Sequence, residues 1–174
     1  MSTLKIPIGP EDHVQGDEQA EFTLVEYGDY ECPHCGHAVP IVKRVQRHFG
    51  KRLRFVYRNF PLSQIHPHAD SAAETAEFAG SKGKFWEMHD LLFENQGQLS
   101  LGLYGALAEQ LGLAKAELID ALNGKVYEAR VRADFTGGVR SGVNGTPTFF
   151  INGRRHNGPF EYEDLVAVIE GVSG

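Results

Sequence analysis

Phe22-Thr23-Leu24-Val25-Glu26-Tyr27 followed at short range by Cys32-Pro33-His34-Cys35 is the stretch on which the fold turns. The six-residue apolar run suits a buried strand. Pro33 stands where a helix accepts proline, because its missing N–H would have no partner in a first turn. Cys32 therefore caps a helix N-terminus, where unpaired N–H groups and a partial positive charge favour a thiolate. Cys35, one turn further in, shares its face and is placed to break a mixed disulfide formed at Cys32. This makes Cys32 the attacking sulfur and Cys35 the resolving one. His34 stands between them, and an imidazole near both sulfurs would lower the thiolate pKa further and favour the dithiol, which makes a stronger oxidant.

Three plainer readings compete with redox chemistry. A static disulfide across so short a loop would stabilise the chain by only about 2 kcal/mol in the chain-entropy model. A metal-binding module could use Cys32, His34, Cys35 and His37, but no second ligand pair of zinc-ribbon type follows. The third is coincidence of spacing. A strand leading into Cys-x-x-Cys at a helix start favours the redox reading over all three.

The 174 residues, 41% hydrophobic and 23% charged, suit one domain with a sizeable core. Seventeen basic against 23 acidic residues leave a formal charge of −6 without a basic stripe. Nucleic acid and anionic membrane surfaces are thus poor partners, and thiols of polypeptides or small molecules better ones. No apolar run approaches the length that crosses a bilayer. Met1 to Glu11 lacks the basic flank and apolar core of a secretory signal, so the expected compartment is the cytoplasm. No bound cofactor is expected.

Residues Met1 to Ala20, with Pro7, Gly9, Pro10 and Gly16, read as an irregular arm along the domain edge. Glu26 is a carboxylate inside an apolar strand: either it faces water from an edge strand, or it is buried and accepts a proton from Cys35. From Pro33 the positions Ala38, Val39, Ile41, Val42, Val45 and Phe49 carry a helix that Gly50 closes. Leu53 to Phe60 reads as a second strand ended by Pro61, and strand, helix, strand implies a parallel pair.

From Pro67 to Val143 the pattern is helical. Segments are expected at Ala69 to Phe78, Phe85 to Phe93, Leu101 to Leu111, Leu118 to Leu122 and Val126 to Arg140, the last weakened by Gly137-Gly138. His66-Pro67-His68 reads as a solvated turn. Gly145-Thr146-Pro147-Thr148-Phe149-Phe150-Ile151-Asn152-Gly153 then supplies a proline at a strand entrance and a hairpin turn. Arg154 to His156 returns, and Glu161 to Glu170 forms a last helix.

In this order of elements, with Cys32-Pro33-His34-Cys35 and the Thr146-Pro147 loop, the chain resembles the thioredoxin superfamily and specifically its DsbA-like thiol:disulfide oxidoreductases. The resemblance covers nearly everything after the arm. It implies an α/β fold with a central mixed sheet: an arm over 1–20, a thioredoxin-like part over 21–62 and 144–174, and an inserted helical domain over 63–143. It implies Cys32 as nucleophile, Cys35 as resolving cysteine and Pro147 as the cis-proline. Thr146 would then lie against the sulfurs and offer backbone hydrogen bonds to an extended substrate. Glu26 falls at the family's buried acidic position. That residue's usual lysine partner is not evident, since Phe55 stands near the expected place with Arg54 and Arg58 beside it, and whether Glu26 has a basic partner stays open. Partners implied are thiol substrates and a recharging protein that no sequence feature names.

The dipeptide favours an oxidant and the expected compartment a reductant, so the direction of exchange stays open. A glutathione-dependent isomerase or transferase is a further alternative on such a fold, against which two cysteines argue.

Overall fold

Strand β1 (His13–Gln15) is followed by β2 (Phe22–Gly28), helix α1 (Pro33–Phe49) and β3 (Leu53–Asn59). Helices α2 (Ala69–Ser81), α3 (Phe85–Glu94), α4 (Leu101–Gln110), α5 (Lys115–Asn123) and α6 (Glu128–Arg140) come next. The hairpin of β4 (Thr148–Ile151) and β5 (Arg154–Arg155) and helix α7 (Tyr162–Gly171) complete the chain. The structure is a computed structural model that describes residues 2–172; Met1 of the arm and residues 173–174 lie outside it.

Among the described residues the strands form one sheet in the order β1-β3-β2-β4-β5. The crossover through α1 makes β2 and β3 parallel, and the other pairs are antiparallel. This leaves β2 in the middle. Alternation along it sorts the core into two faces. Phe22 and Leu24 join α1, Phe55 and Tyr57, whereas Val25 and Tyr27 join Val56, Phe60 and Phe150. Alanines of α2, with Met88, Leu92 and Tyr104, belong to the same cluster as α1, so the helical segment shares its core with the sheet.

The arm is less irregular than its composition suggested. His13–Gln15 pairs with β3, covering an edge that would otherwise leave backbone groups open. His13 stacks on Phe85 at 3.5 Å and its Nε2 lies 2.9 Å from Glu77 Oε2. The turn expected at His66-Pro67-His68 is only partly solvated. His66 Nδ1 lies 2.7 Å from Asp29 Oδ2, and the His68 N–H donates to Glu31 Oε1 at 2.7 Å, tying the start of α2 to the cysteine loop.

The helix expected from Val126 begins at Glu128, after Lys125 takes a positive φ of 51°. Its glycines do not break it, because they are contact points. A Cβ on Gly138 would lie 2.7 Å from the Phe60 ring, so glycine there lets α6 approach the sheet.

Candidate active site

Cys32 is the N-cap of α1 in extended conformation (φ −73°, ψ 121°), with Pro33 opening the helix. Its N–H donates to the Asp29 carbonyl at 3.1 Å and its carbonyl accepts from Gly36 N–H at 3.1 Å. The Asp29 carboxylate, itself buried, accepts from the N–H groups of Glu31 and Leu62 at 2.7 and 2.9 Å. From the helical insertion, Gln96 Nε2 donates to the carbonyls of Tyr30 and Cys32 at 2.9 and 2.8 Å. Sequence reading passed over Asp29 and Gln96. Asp29 could have been suspected as a carboxylate in a tight turn before the motif, whereas Gln96 carries no local signal.

Both thiols are free and nearly enclosed, Cys32 at 4% and Cys35 at 0% exposure. The Cys32 thiol donates to the Thr146 carbonyl at 3.5 Å, across a Thr146–Pro147 peptide bond that is cis. Thr146 and Pro147 are half-buried beside the sulfur. Hydrogen bonding from the Cys35 thiol pulls Cys32 down to about 5 against the cost of its burial, helped by the Thr146 side chain and by the backbone of Cys35 and His34. Cys35 is driven the other way, well above the ordinary thiol range, chiefly by burial and then by Cys32 and Glu26. One sulfur is thus a ready nucleophile and the other a held thiol.

Glu26 does not face water from an edge. It sits on the central strand, 4% exposed, on the face that carries α1, and burial followed by the charge of Cys32 raises it to about 8. The arginines beside Phe55 do not reach it: Arg54 Nε donates to Thr23 Oγ1, and Arg58 turns to the opposite face. His34 and Pro33 are exposed, and it is the backbone of His34, rather than an imidazole between the sulfurs, that acts on Cys32. His37 Nε2 pairs with Glu161 Oε1 at 2.8 Å on the surface. The four residues of the metal reading are therefore spread between core and surface. Among the described residues no group of three or more His, Cys, Asp and Glu is arranged to hold a metal ion.

These ionisation states have a direct readout. In the reduced protein the alkylation rate of Cys32 by iodoacetamide is expected to rise with a midpoint near pH 5 and to be flat above about pH 6. Cys35 should stay unreactive throughout that range. A midpoint near the ordinary thiol value would remove the activation argued for the helix N-terminus.

A five-stranded mixed sheet with a dithiol capping the first helix after its central strand defines a thioredoxin-type protein. The comparison with known proteins agrees: residues 9–171 match the family described as Thioredoxin, and the chain belongs to it. Its architecture is that of DsbA-like members. BdbD from Bacillus subtilis superposes with a TM-score of 0.83 at 25% identity, over 91% of this chain and 90% of that one. A thioredoxin-like oxidoreductase from Silicibacter pomeroyi gives a TM-score of 0.82 at 26% identity, over 94% and 92% of the two chains. In sequence the chain is 45% identical over 167 residues to a Na(+)/H(+) antiporter NhaA 1 of Salinispora arenicola. That match takes in 95% of this chain and 26% of the antiporter. The chain thus spans about a quarter of the length of the curated relatives it matches.

Proposed function

We propose that the chain is a thiol:disulfide oxidoreductase that exchanges its Cys32–Cys35 pair with cysteines of extended polypeptide segments. The observation that carries this is the placing of two free thiols at one helix start, Cys32 as N-cap against the Thr146 carbonyl of a cis Thr146–Pro147 bond and Cys35 buried one turn inside. In the oxidising direction a substrate thiolate attacks Cys32 Sγ of the disulfide. The S–S bond breaks, and its electron pair leaves on Cys35, which takes a proton from Glu26. A second substrate thiolate then displaces Cys32, which departs as a stabilised thiolate while the substrate disulfide forms. A low-pKa leaving sulfur speeds that last step and favours the dithiol, so the exchange runs towards oxidation of the substrate. Thr146 and Pro147 border the sulfur where an extended segment would lie and pair by its backbone. Among the described residues no helix is long and apolar enough to cross a membrane.

Equilibration in glutathione redox buffers, read by thiol trapping, tests it. The expected reduction potential lies near or above roughly −180 mV; a value near −270 mV would mark a reductant and overturn the direction proposed. A chain that forms no Cys32–Cys35 disulfide would overturn the activity itself. Stability should report the same bias. Because Cys32 in the folded dithiol ionises at about 5 rather than at 9, its contribution is fully present above pH 9 and is lost as pH falls through 5. At pH 7 the reduced protein should therefore unfold at a higher temperature than the oxidised one, and the gap should close towards pH 5.

A further inference from the structure

A buried hydroxyl in the middle of the sheet has no role in the exchange as described so far. Tyr57 is fully enclosed on β3, and among the described residues its hydroxyl makes no hydrogen bond of good geometry; the one hydroxyl near enough to act on it is that of Tyr30. Such groups are rare in native proteins, because leaving a buried donor unmet costs stability that a phenylalanine would not. The neighbouring Tyr30 differs, since its hydroxyl lies 2.9 Å from His89 Nδ1.

The sheet register explains what Tyr57 faces. On the parallel strands Glu26 lies opposite Tyr57. Gly28, two residues further along β2, shares the Glu26 face. A Cβ on Gly28 would stand 2.8 Å from Glu26 Oε2 and 2.8 Å from the Tyr57 hydroxyl. Carboxylate and hydroxyl thus converge on the bare side of this glycine. Among the described residues no arginine of β3 competes for the place: Arg58 is held by Asp12 on the opposite face, and Arg54 by Thr23. The titratable groups facing Glu26 are Cys32 and Cys35 from α1, Tyr30 from the preceding loop and Tyr57 from β3. His89 of α3 packs on both tyrosine rings, at 5.4 and 4.5 Å. On the β4 side the residue opposite Glu26 is Phe149.

We infer that Tyr57 is the positioning partner of Glu26, a neutral hydroxyl that donates to the carboxylate once it ionises and accepts from the carboxylic acid once it is protonated. A hydroxyl serves both states because it is donor and acceptor, whereas an ammonium group can only donate. This inference rests on the reading of Glu26 as the group that exchanges a proton with Cys35. When a mixed disulfide at Cys32 is resolved, the Cys35 S–H bond breaks and its proton passes to Glu26. The Cys35 sulfur then bonds to Cys32, and the partner sulfur leaves as a thiolate. Tyr57 stabilises the ionised Glu26 that must be present before that proton can move.

The test uses the whole chain and an aromatic disulfide, 5,5′-dithiobis(2-nitrobenzoate), which releases one coloured thiolate on attack by Cys32 and a second on resolution by Cys35. The second phase is followed against pH in the parent protein, Tyr57→Phe and Glu26→Gln. In Tyr57→Phe the midpoint of the second phase is expected to move up by about one pH unit, slowing it about tenfold at pH 7, with the first phase unchanged. The infrared carbonyl band that Glu26→Gln removes should also shift in frequency. If the second phase and that band are the same in Tyr57→Phe as in the parent, while Glu26→Gln alters the phase, Tyr57 is packing only and the inference falls. If Glu26→Gln leaves the second phase and its pH profile untouched, the reading of Glu26 falls, and this inference with it. Tyr57→Phe keeps the ring, and the neighbouring Tyr30 hydroxyl keeps its His89 partner, so the fold should hold; a purely structural role would leave the variant about as stable as the parent.

Discussion

Cys32→Ser is expected to reduce disulfide exchange to the uncatalysed rate, whereas Cys35→Ser should retain the first chemical step and stop at the second. The reason lies in the different environments of the two sulfurs. Cys32 caps the helix start with a pKa lowered to about 5 and is a thiolate at pH 7, whereas Cys35 is wholly buried and held as a thiol. A serine hydroxyl at position 32 is not ionised at that pH and cannot form the mixed disulfide. With Cys35→Ser the mixed disulfide at Cys32 forms but finds no internal thiol to displace it, so it accumulates. Non-reducing electrophoresis after incubation with a disulfide-bearing protein would show the trapped species for Cys35→Ser and not for Cys32→Ser. Full turnover by either variant would sink the mechanism.

Asp12→Ala should be strongly destabilising although it lies away from the dithiol. Asp12 and Arg58 form a two-pronged pair, Nε to Oδ1 at 2.8 Å and Nη2 to Oδ2 at 2.9 Å, with side chains only 8% and 4% exposed. The guanidinium also donates to the carbonyls of Ile6 and Pro7 and to the Tyr27 hydroxyl, so it fastens the arm to the far face of the sheet. Removing the carboxylate leaves a buried cation with only neutral acceptors, a loss of about 3 kcal/mol, or roughly 6–12 °C in melting temperature for a chain of this size. Arg58→Met should cost less, since the carboxylate it strands lies nearer solvent.

Acid should mimic the Asp12 change. Burial alone would raise this carboxyl, but the bonds from Arg58 and the Gly9 N–H outweigh it and hold it below 3.8. Its contribution is therefore present above the unfolded carboxylate pKa and is lost as pH falls through the lower folded value. Calorimetry at pH 7 and pH 3 would show the gap between parent and Asp12→Ala narrowing at the lower pH. A variant melting within about 1 °C of the parent at pH 7 would show that the pair does not hold the arm.

The chain's local grammar determined a great deal. An apolar run, Cys-Pro-His-Cys and a 3.6-residue periodicity are enough for a strand that delivers a thiol to a helix N-terminus. The short turn at Asn152-Gly153 is enough for the hairpin that follows Pro147. The helical segments between β3 and β4 were legible for the same reason, since apolar spacing within one helix is a property of neighbouring residues. Composition alone hid β1, because three residues of mixed character become a strand only when β3 offers an open edge.

Tertiary structure decided everything that depends on register and on distant loops. Glu26 could face water or core until β2 took the centre of the sheet. Tyr57 was one more apolar residue until pairing set it opposite Glu26. Arg58, a neighbour of the expected lysine position in sequence, points to the other face because side chains alternate along a strand. Gln96 and His66 reach the cysteine loop only because the helical segment folds back over it. A sequence states which groups are adjacent along the chain; which buried group meets which is settled by long-range packing, and there the ionisation of the dithiol is tuned.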